Sequence, residues 1–420
     1  MKRKPGVQTE TGHGERGESP TAKARVEFAI PHAMQRTRSW VALFAAVVAG
    51  LGLHCGEDPL LRPNLLLITT EEVRPDDLPC YDPTTENGPG MCDLAEEGGR
   101  FVWAFSPSPT PGPAAATLLT GRSPDRHGVS QSVASFLPDP ETTLAELLQQ
   151  GGYATAAFVS NAELNRSRHF HQGFDLYRDR IDLESVVEAA QGWADSVEAP
   201  WFIWAHLIRP ETAGQTQEAL TSAAERLRLD RSVTELIAAL SDETRPRGVL
   251  LTSLHGRGDS ATRPAPQLDL PHLRVPLFWQ APNSSNRPGV TRKIRTPVSL
   301  ADVAPTLIEA AALSFPETTQ MDGAPLPYAD LPKRPSRTLL AKRNGETLII
   351  HGAEWALFSP DSHASSERAP SGRLWPASDP SSEKTPARET QPSSRARHKR
   401  LTRLLQPGTP GPDQSAPVRP

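Results

Sequence analysis

Thr110-Pro-Gly-Pro-Ala-Ala-Ala-Thr-Leu-Leu-Thr-Gly-Arg122 is the stretch on which the fold turns. It follows an apolar run and the Ser106-Pro-Ser-Pro-Thr110 loop, and its second half reads as a helix start. Upstream, Asn64-Leu-Leu-Leu-Ile-Thr69 is a short continuous apolar run, the pattern of a strand buried on both faces. Downstream, Tyr153–Val159, Pro200–His206 and Arg247–Ser253 read the same way. Helical periods cover Thr142–Gln150, which Gly151-Gly152 ends, then Glu184–Val197 and Glu218–Leu240. Strands alternating with helices predict an α/β fold with a mostly parallel central sheet and helices on both faces.

Ending a helix on Leu118-Leu119-Thr120-Gly121-Arg122, the stretch resembles the nucleophile loop of the sulfatase family, in the alkaline-phosphatase-like superfamily. There the pattern is Cys or Ser, any residue, Pro, any residue, Arg, then a short helix ending Leu-Leu-Thr-Gly-Arg. Further segments carry the same resemblance. They are Asp93–Phe101, Ser123-Pro-Asp-Arg-His-Gly-Val129, the Arg274-Val-Pro-Leu277 strand within Leu273–Trp279, and Pro297-Val-Ser-Leu-Ala-Asp-Val-Ala-Pro-Thr-Leu307. Asp322-Gly323 and Thr347–Ile350 resemble the approach to a small C-terminal sheet. The resemblance runs from about Arg62 to Phe358. It implies a sulfatase-like domain over 62–330 and a small C-terminal subdomain over 331–358.

Aligned on that helix end, Pro113 meets the motif proline, Pro111 falls on the nucleophile and Ala115 on the motif arginine. Proline has neither hydroxyl nor thiol to convert to formylglycine, and alanine has no guanidinium to steady the nucleophile and sulfate. Thr110, one residue early, is the alternative nucleophile. The family's first strand ends in an aspartate pair that binds Ca²⁺ or Mg²⁺, followed by Leu-Arg-Ala-Asp-His-Leu. Here Glu71 and Glu72 stand at the pair, ahead of Val73-Arg-Pro-Asp-Asp-Leu78. Glutamate offers the right oxygens for a hard cation but is one methylene longer, so weak binding or none is expected. The family's Ser-Asp-His-Gly-Glu appears here as Ser253-Leu-His-Gly-Arg257. Leu254 thus loses one ligand, His255 survives as a vestigial one, and Arg257 brings positive charge. Glu211 stands where a catalytic His is common, and His206 fits a more structural one. Ser160-Asn-Ala-Glu-Leu164 offers neither the Lys nor the His that many sulfatases place after this strand, while His169 and His171 read as surface residues.

The 420 residues suffice for one large domain or two ordinary ones, and a net charge of -4 gives no sign of a nucleic-acid partner. Hydrophobic residues make up 37% and prolines number 43, an imbalance that the two ends explain. Residues 1–33 read as disordered or as a mis-assigned start ahead of Met34. Residues 34–55 pair Arg36 and Arg38 with the apolar run Trp40–Leu53, the pattern of an export signal or a lipoprotein signal, with a single membrane anchor as the alternative. Cys55 stands where a lipoprotein carries its acylated cysteine, although His54 makes ordinary cleavage equally compatible. The expected location is therefore exported: periplasmic, outer-surface or membrane-anchored. Export permits disulfides, and Cys80 and Cys92 flank a Pro/Gly/Asn-rich loop across which they can pair. Residues 359–420 form a Pro-, Ser- and Arg-rich tail, expected to be mostly disordered.

Two readings follow. The first is an exported sulfatase-like protein that has lost catalysis and serves in binding or as a scaffold, with no cofactor and with partners unspecified. The second is a divergent metal-dependent hydrolase of sulfate or phosphate esters, using Thr110 or a water activated at Glu71, Glu72 and His255, with Ca²⁺ or Mg²⁺ if any cation site persists.

Overall fold

A computed structural model describes residues 62–85, 90–130, 135–198, 200–208, 223–241, 245–258, 268–282, 292–314, 319–327, 338–343, 346–351, 354–358 and 372–376. The chain divides into two units, Met1–Gly56 and Glu57–Pro420, and every described residue belongs to the second. Cys55, Glu211, residues 1–33, the signal segment 34–55 and the predicted disordered tail apart from Gly372–Pro376 lie outside the described residues.

Fifteen described strands and eight α-helices are used below. The strands are β1 Asn64–Thr70, β2 Gly99–Phe101, β3 Ala104–Phe105, β4 Ala154–Val159, β5 Leu176–Asp179, β6 Trp201–Leu207, β7 Arg247–Ser253 and β8 Arg274–Val275. They continue with β9 Leu277–Gln280, β10 Arg292–Ile294, β11 Val298–Ser299, β12 Thr338–Arg343, β13 Glu346–His351, β14 Glu354–Phe358 and β15 Gly372–Pro376. The helices are α1 Gly90–Glu97, α2 Pro111–Thr120, α3 Pro124–His127, α4 Leu144–Gln150, α5 Leu183–Ala194, α6 Ala223–Ala239, α7 Leu270–Leu273 and α8 Val303–Ala310.

The eight-stranded central sheet runs β10-β2-β9-β7-β1-β6-β4-β5. Within it β1 pairs parallel with β6 and β7, while β9 is antiparallel to β7 and β2. β1 shows why an unbroken apolar run forms a central strand. Leu65 and Leu67 enter one core with Ala114, Ala115, Ala116, Leu118 and Leu119, whereas Leu66 and Ile68 enter a second core with Val186, Leu229, Val233 and Leu236. All four leucine and isoleucine side chains are fully buried, each worth about 1.5–3 kcal/mol of transfer free energy. The α/β architecture, mostly parallel sheet and separate small sheet are as expected from the sequence.

Three details differ. The Leu273–Trp279 segment is not one strand. Pro276 has no N–H for a ladder, so the chain leaves β8 in a three-stranded sheet (β11-β3-β8) and starts β9 in the central sheet. The stretch after Pro297 becomes a two-residue strand, a 3-10 turn capped by Ser299 and helix α8. The small antiparallel sheet β12-β13-β14-β15 reaches Pro376, past the boundary expected at 358. A lone Leu374-Trp375 amid polar residues is too short a periodic signal; register supplies the rest, with Trp375 opposite Trp355.

Candidate active site

Helix α2 begins at Thr110, which has extended φ and ψ as an N-cap, and Pro111 takes the first helical position, where the missing N–H costs nothing. The Thr110 side chain makes no cap bond. Its Oγ1 lies 3.0 Å from Ser108 Oγ, itself fully buried. Ala115 is fully buried in the apolar core. The end of α2 is tightly built. Gly121 has a φ of 67° and closes the helix onto Thr117 O, and a Cβ there would meet Met321 at 2.9 Å. Arg122 grips Glu141 through two bonds of 2.9 and 2.8 Å. Asp322 accepts from Ser123 N at 2.8 Å and Arg126 at 2.7 Å. Buried His127 reaches Thr117 Oγ1 at 2.9 Å, and Val129 N donates to its Nδ1 at 3.0 Å. Burial and the nearby Arg122 charge push this imidazole down to about 4.

The second half of the site lies at the carboxyl ends of the central strands, where open α/β sheets place ligands. Register aligns Thr70 with Leu207 and Ser253, and His206 with Val159. Glu71, just past β1, points its Oε1 at Asn161 Nδ2 (2.6 Å) and His206 Nε2 (3.0 Å). Asn161 is fixed in this orientation because its Oδ1 accepts from Glu163 N at 2.6 Å. His206 is wholly buried, with Nδ1 2.8 Å from Thr69 Oγ1, and the Trp204 indole donates to that hydroxyl at 2.9 Å. His255 donates through Nδ1–H to Gly256 O (2.8 Å), and among the described residues its buried Nε2 has no hydrogen-bond partner. That Nε2 lies 3.8 Å from Glu71 Oε2, too far for a hydrogen bond but within reach of its charge. Burial alone would raise the Glu71 carboxyl. The His206 and His255 contacts overcome it and hold Glu71 well below the usual carboxylate range. His255 is raised: burial opposes its charge, and Glu71 outweighs burial.

Glu72 adopts a φ of 57°, a left-handed conformation that costs a non-glycine residue about 1 kcal/mol or more. Its N–H donates to His255 O at 2.9 Å, and its carbonyl accepts from Arg257 Nη1 at 2.7 Å. Arg257 also forms two 2.6 Å bonds to the carboxylate of Asp77. Burial would raise the Asp77 carboxyl, and the Arg257 guanidinium lowers it on balance. Leu254 donates its N–H to Thr70 O at 2.8 Å and buries its side chain completely in the same core as Ala115.

The structure thus brings Glu71, Glu72, Leu254 and His255 together. It places Thr110, Pro111 and Ala115 at the start of α2. Asn161 and the Asp77–Arg257 pair were missed as site residues, since an amide after β4 and charges in opposite signs match no ligand pattern in sequence. Beside the first turn of α2, a cleft of about 360 Å³ is lined by Pro113, Pro124, Asp125, Ser130, Lys342 and Thr347, among others. Lys342 there is ion-paired with Asp125.

A profile of the sulfatase family matches residues 63–313, more than half of the chain. The chain belongs to the sulfatase family. Among curated sulfatases it is 37% identical to arylsulfatase G of Rattus norvegicus over 129 residues, covering 29% of this chain and 24% of that one. It is 32% identical to N-acetylgalactosamine-6-sulfatase of Sus scrofa over 151 residues, covering 32% of this chain and 28% of that one. The chain therefore spans about a quarter of the curated relatives it matches. A putative sulfatase from Bacteroides thetaiotaomicron VPI-5482 superposes with a TM-score of 0.66 at 14% identity, over 82% of this chain and 91% of that one. Ps i-CgsB, solved in complex with k-i-k-neocarrahexaose, gives 0.64 at 18% identity over 82% and 92%. At these identities the structural likeness establishes the fold.

The divalent cation that sulfatases hold after β1 does not suit the residues present. Leu254 supplies no oxygen and is sealed in the core, Glu71 Oε1 is already shared by Asn161 and His206, and a guanidinium sits among the oxygens of Asp77 and Glu72. Among the described residues, no group of three His, Cys, Asp or Glu is arranged to hold a metal. Cys80 and Cys92 form a disulfide. Among the described residues, no helix is long and apolar enough to cross a membrane.

Proposed function

We propose that this sulfatase-family chain is catalytically silent and serves in binding or as a scaffold. Sulfuric-ester hydrolysis, the family's activity, requires a nucleophile, a cation and basic groups around the sulfate oxygens. The observation that carries the proposal is the shared burial of Ala115 and Leu254, both fully enclosed in one apolar core where the family has an arginine and a metal-binding aspartate. Pro111 adds the loss of the nucleophile itself. Losses of this kind cost about 3–4 kcal/mol of transition-state stabilisation apiece in single-group deletions, and groups acting as a unit fail together.

Binding would use the cleft beside Pro113, and sulfated saccharides are the first probes. Two solved sulfatase-fold neighbours carry saccharides, k-i-k-neocarrahexaose and D-glucosamine-2-N,6-O-disulfate. Export is part of this proposal, supported by the signal-like segment before Cys55 and by the Cys80–Cys92 disulfide, a bond of oxidising compartments.

The test is turnover of aryl sulfates and aryl phosphates by purified full-length protein, with and without added Ca²⁺, Mg²⁺ or Zn²⁺. No turnover above background is expected. Turnover abolished by Thr110→Ala would overturn the proposal and establish the divergent-hydrolase reading.

A further inference from the structure

The cation that does not fit leaves a mechanical task behind. Something must hold the turn after β1, which carries the largely buried acids Glu71 and Asp77, against residues 254–258 after β7, which carry none. We propose that the guanidinium of Arg257 has taken over the structural task of the divalent cation, so that the domain folds and keeps this edge of the sheet closed without metal.

The geometry is that of a chelate. One guanidinium, from the loop after β7, contacts three oxygens of two residues in the turn after β1: Asp77 Oδ2 at 2.6 Å, Asp77 Oδ1 at 2.6 Å and the Glu72 carbonyl at 2.7 Å. Arg257 is 17% exposed along its side chain and Asp77 9%, so the pair is largely withdrawn from water and only lightly screened by salt. A planar fork meeting a carboxylate through two bonds is the arrangement in which arginine holds an anion most firmly. Asp77 is anchored in its turn by Arg74 N at 2.8 Å. On the far side, Glu72 N donates to His255 O, and Ser253 Oγ donates to the same carbonyl at 2.7 Å. The two segments are therefore cross-linked through Arg257 and the His255 carbonyl together.

The exchange has a matched form. Where the family reads Arg-Ala-Asp-His-Leu, this chain has Asp77 in the histidine's place, and where the family ends its strand in Gly-Glu, it has Arg257 in the glutamate's. A basic–acidic pair of positions has become an acidic–basic pair in direct contact. Glu71, a further acid at the edge, is occupied by Asn161 and His206. A lost ligand at Leu254 would by itself leave a weakened cation site; an arginine seated on the neighbouring oxygens leaves none to fill.

The test is thermal unfolding of the full-length protein in EDTA and in millimolar Ca²⁺, Mg²⁺ or Zn²⁺, with elemental analysis of the purified protein. The expected result is no stoichiometric metal and a midpoint that agrees in all conditions to about 1 °C, far less than tight ligand binding would produce. Arg257→Met should lower the midpoint by roughly 5–10 °C, with no recovery on adding cations, because Asp77 is left buried and unpaired. Asp77→Asn combined with Arg257→Met should recover about half of that loss or more, since both charges go together. If Arg257→Met fails to fold, the double variant and the wild-type comparison still decide. A wild-type midpoint that falls in EDTA, stoichiometric co-purifying cation, or an Arg257→Met variant as stable as wild type would each overturn the inference. Ester turnover by metal-free protein would refute the silent-family-member proposal and leave this one standing; bound cation without turnover would refute this one alone.

Discussion

Restoring the family's metal-binding aspartate at position 254 should damage the fold rather than revive a metal site. Leu254 is fully buried in the core that contains Ala115, Val275 and Leu277. Removing its side chain to alanine would cost about 2–5 kcal/mol, by transfer plus cavity. Aspartate of smaller volume loses the same apolar contacts and adds a charge with no cation beside it, for several kcal/mol more unless it protonates. The total approaches the whole stability of an ordinary domain, roughly 5–15 kcal/mol. Leu254→Asp should therefore be mostly unfolded or expressed insoluble at neutral pH, while Leu254→Ala folds with a reduced urea midpoint. Leu254→Asn separates the charge from the cavity and should fall between them. Urea melts followed by tryptophan fluorescence, run in EDTA and in millimolar Ca²⁺, make the comparison. A folded Leu254→Asp whose midpoint rises with Ca²⁺ would mean that the strand end remains a cation site lacking one oxygen, and the core-packing argument would be refuted.

Other outcomes are open to the same kind of measurement. Thr110→Ala should change stability by no more than about 1 kcal/mol in urea titration, since its hydroxyl makes no cap bond and, among the described residues, meets only Ser108 Oγ. Replacing Cys80 and Cys92 together with serine should cost about 3 kcal/mol by the loop-closure estimate for the 12-residue separation, read as a lower urea midpoint than wild type under oxidising conditions. His127 should make the protein acid-sensitive: folded it is held at about 4 against 6.5, so it binds its proton more readily unfolded, and stability falls as pH drops from about 6.5 towards 4. That difference amounts to roughly 3 kcal/mol, and urea melts across this range should be flatter for His127→Asn.

What the sequence made legible divides by the kind of work each residue does. Leu118-Leu119-Thr120-Gly121-Arg122 is readable because each residue has a local task that only a few side chains perform. Gly121 supplies a positive φ, Arg122 meets Glu141, and Thr120 bonds back to Ala116 O at 2.7 Å. None of these tasks is chemical, so the motif is readable whatever residue stands at 111. The buried runs of β1, β6 and β7 are legible for the same reason, since burial on both faces leaves only apolar residues. The resemblance makes Pro111, Ala115 and Leu254 legible as departures from the family's pattern. The partners of the charged groups around them are not legible, because pairing is a matter of three dimensions. Nothing in Asn161 or Asp77 as letters says that one will satisfy Glu71 and the other will receive Arg257. Glutamates at 71 and 72 looked like two lengthened copies of one ligand, whereas the structure gives them unlike work. Glu71 is a buried acceptor for an amide and an imidazole, and Glu72 contributes its backbone, bent into the left-handed region, to hold the two strand ends. A catalytic site that merely decayed would leave buried acids unpaired at several kcal/mol each. Here the acids whose partners are seen are answered by named donors, so the end of β1 and the loop after β7 are held by pairings that folding alone would maintain.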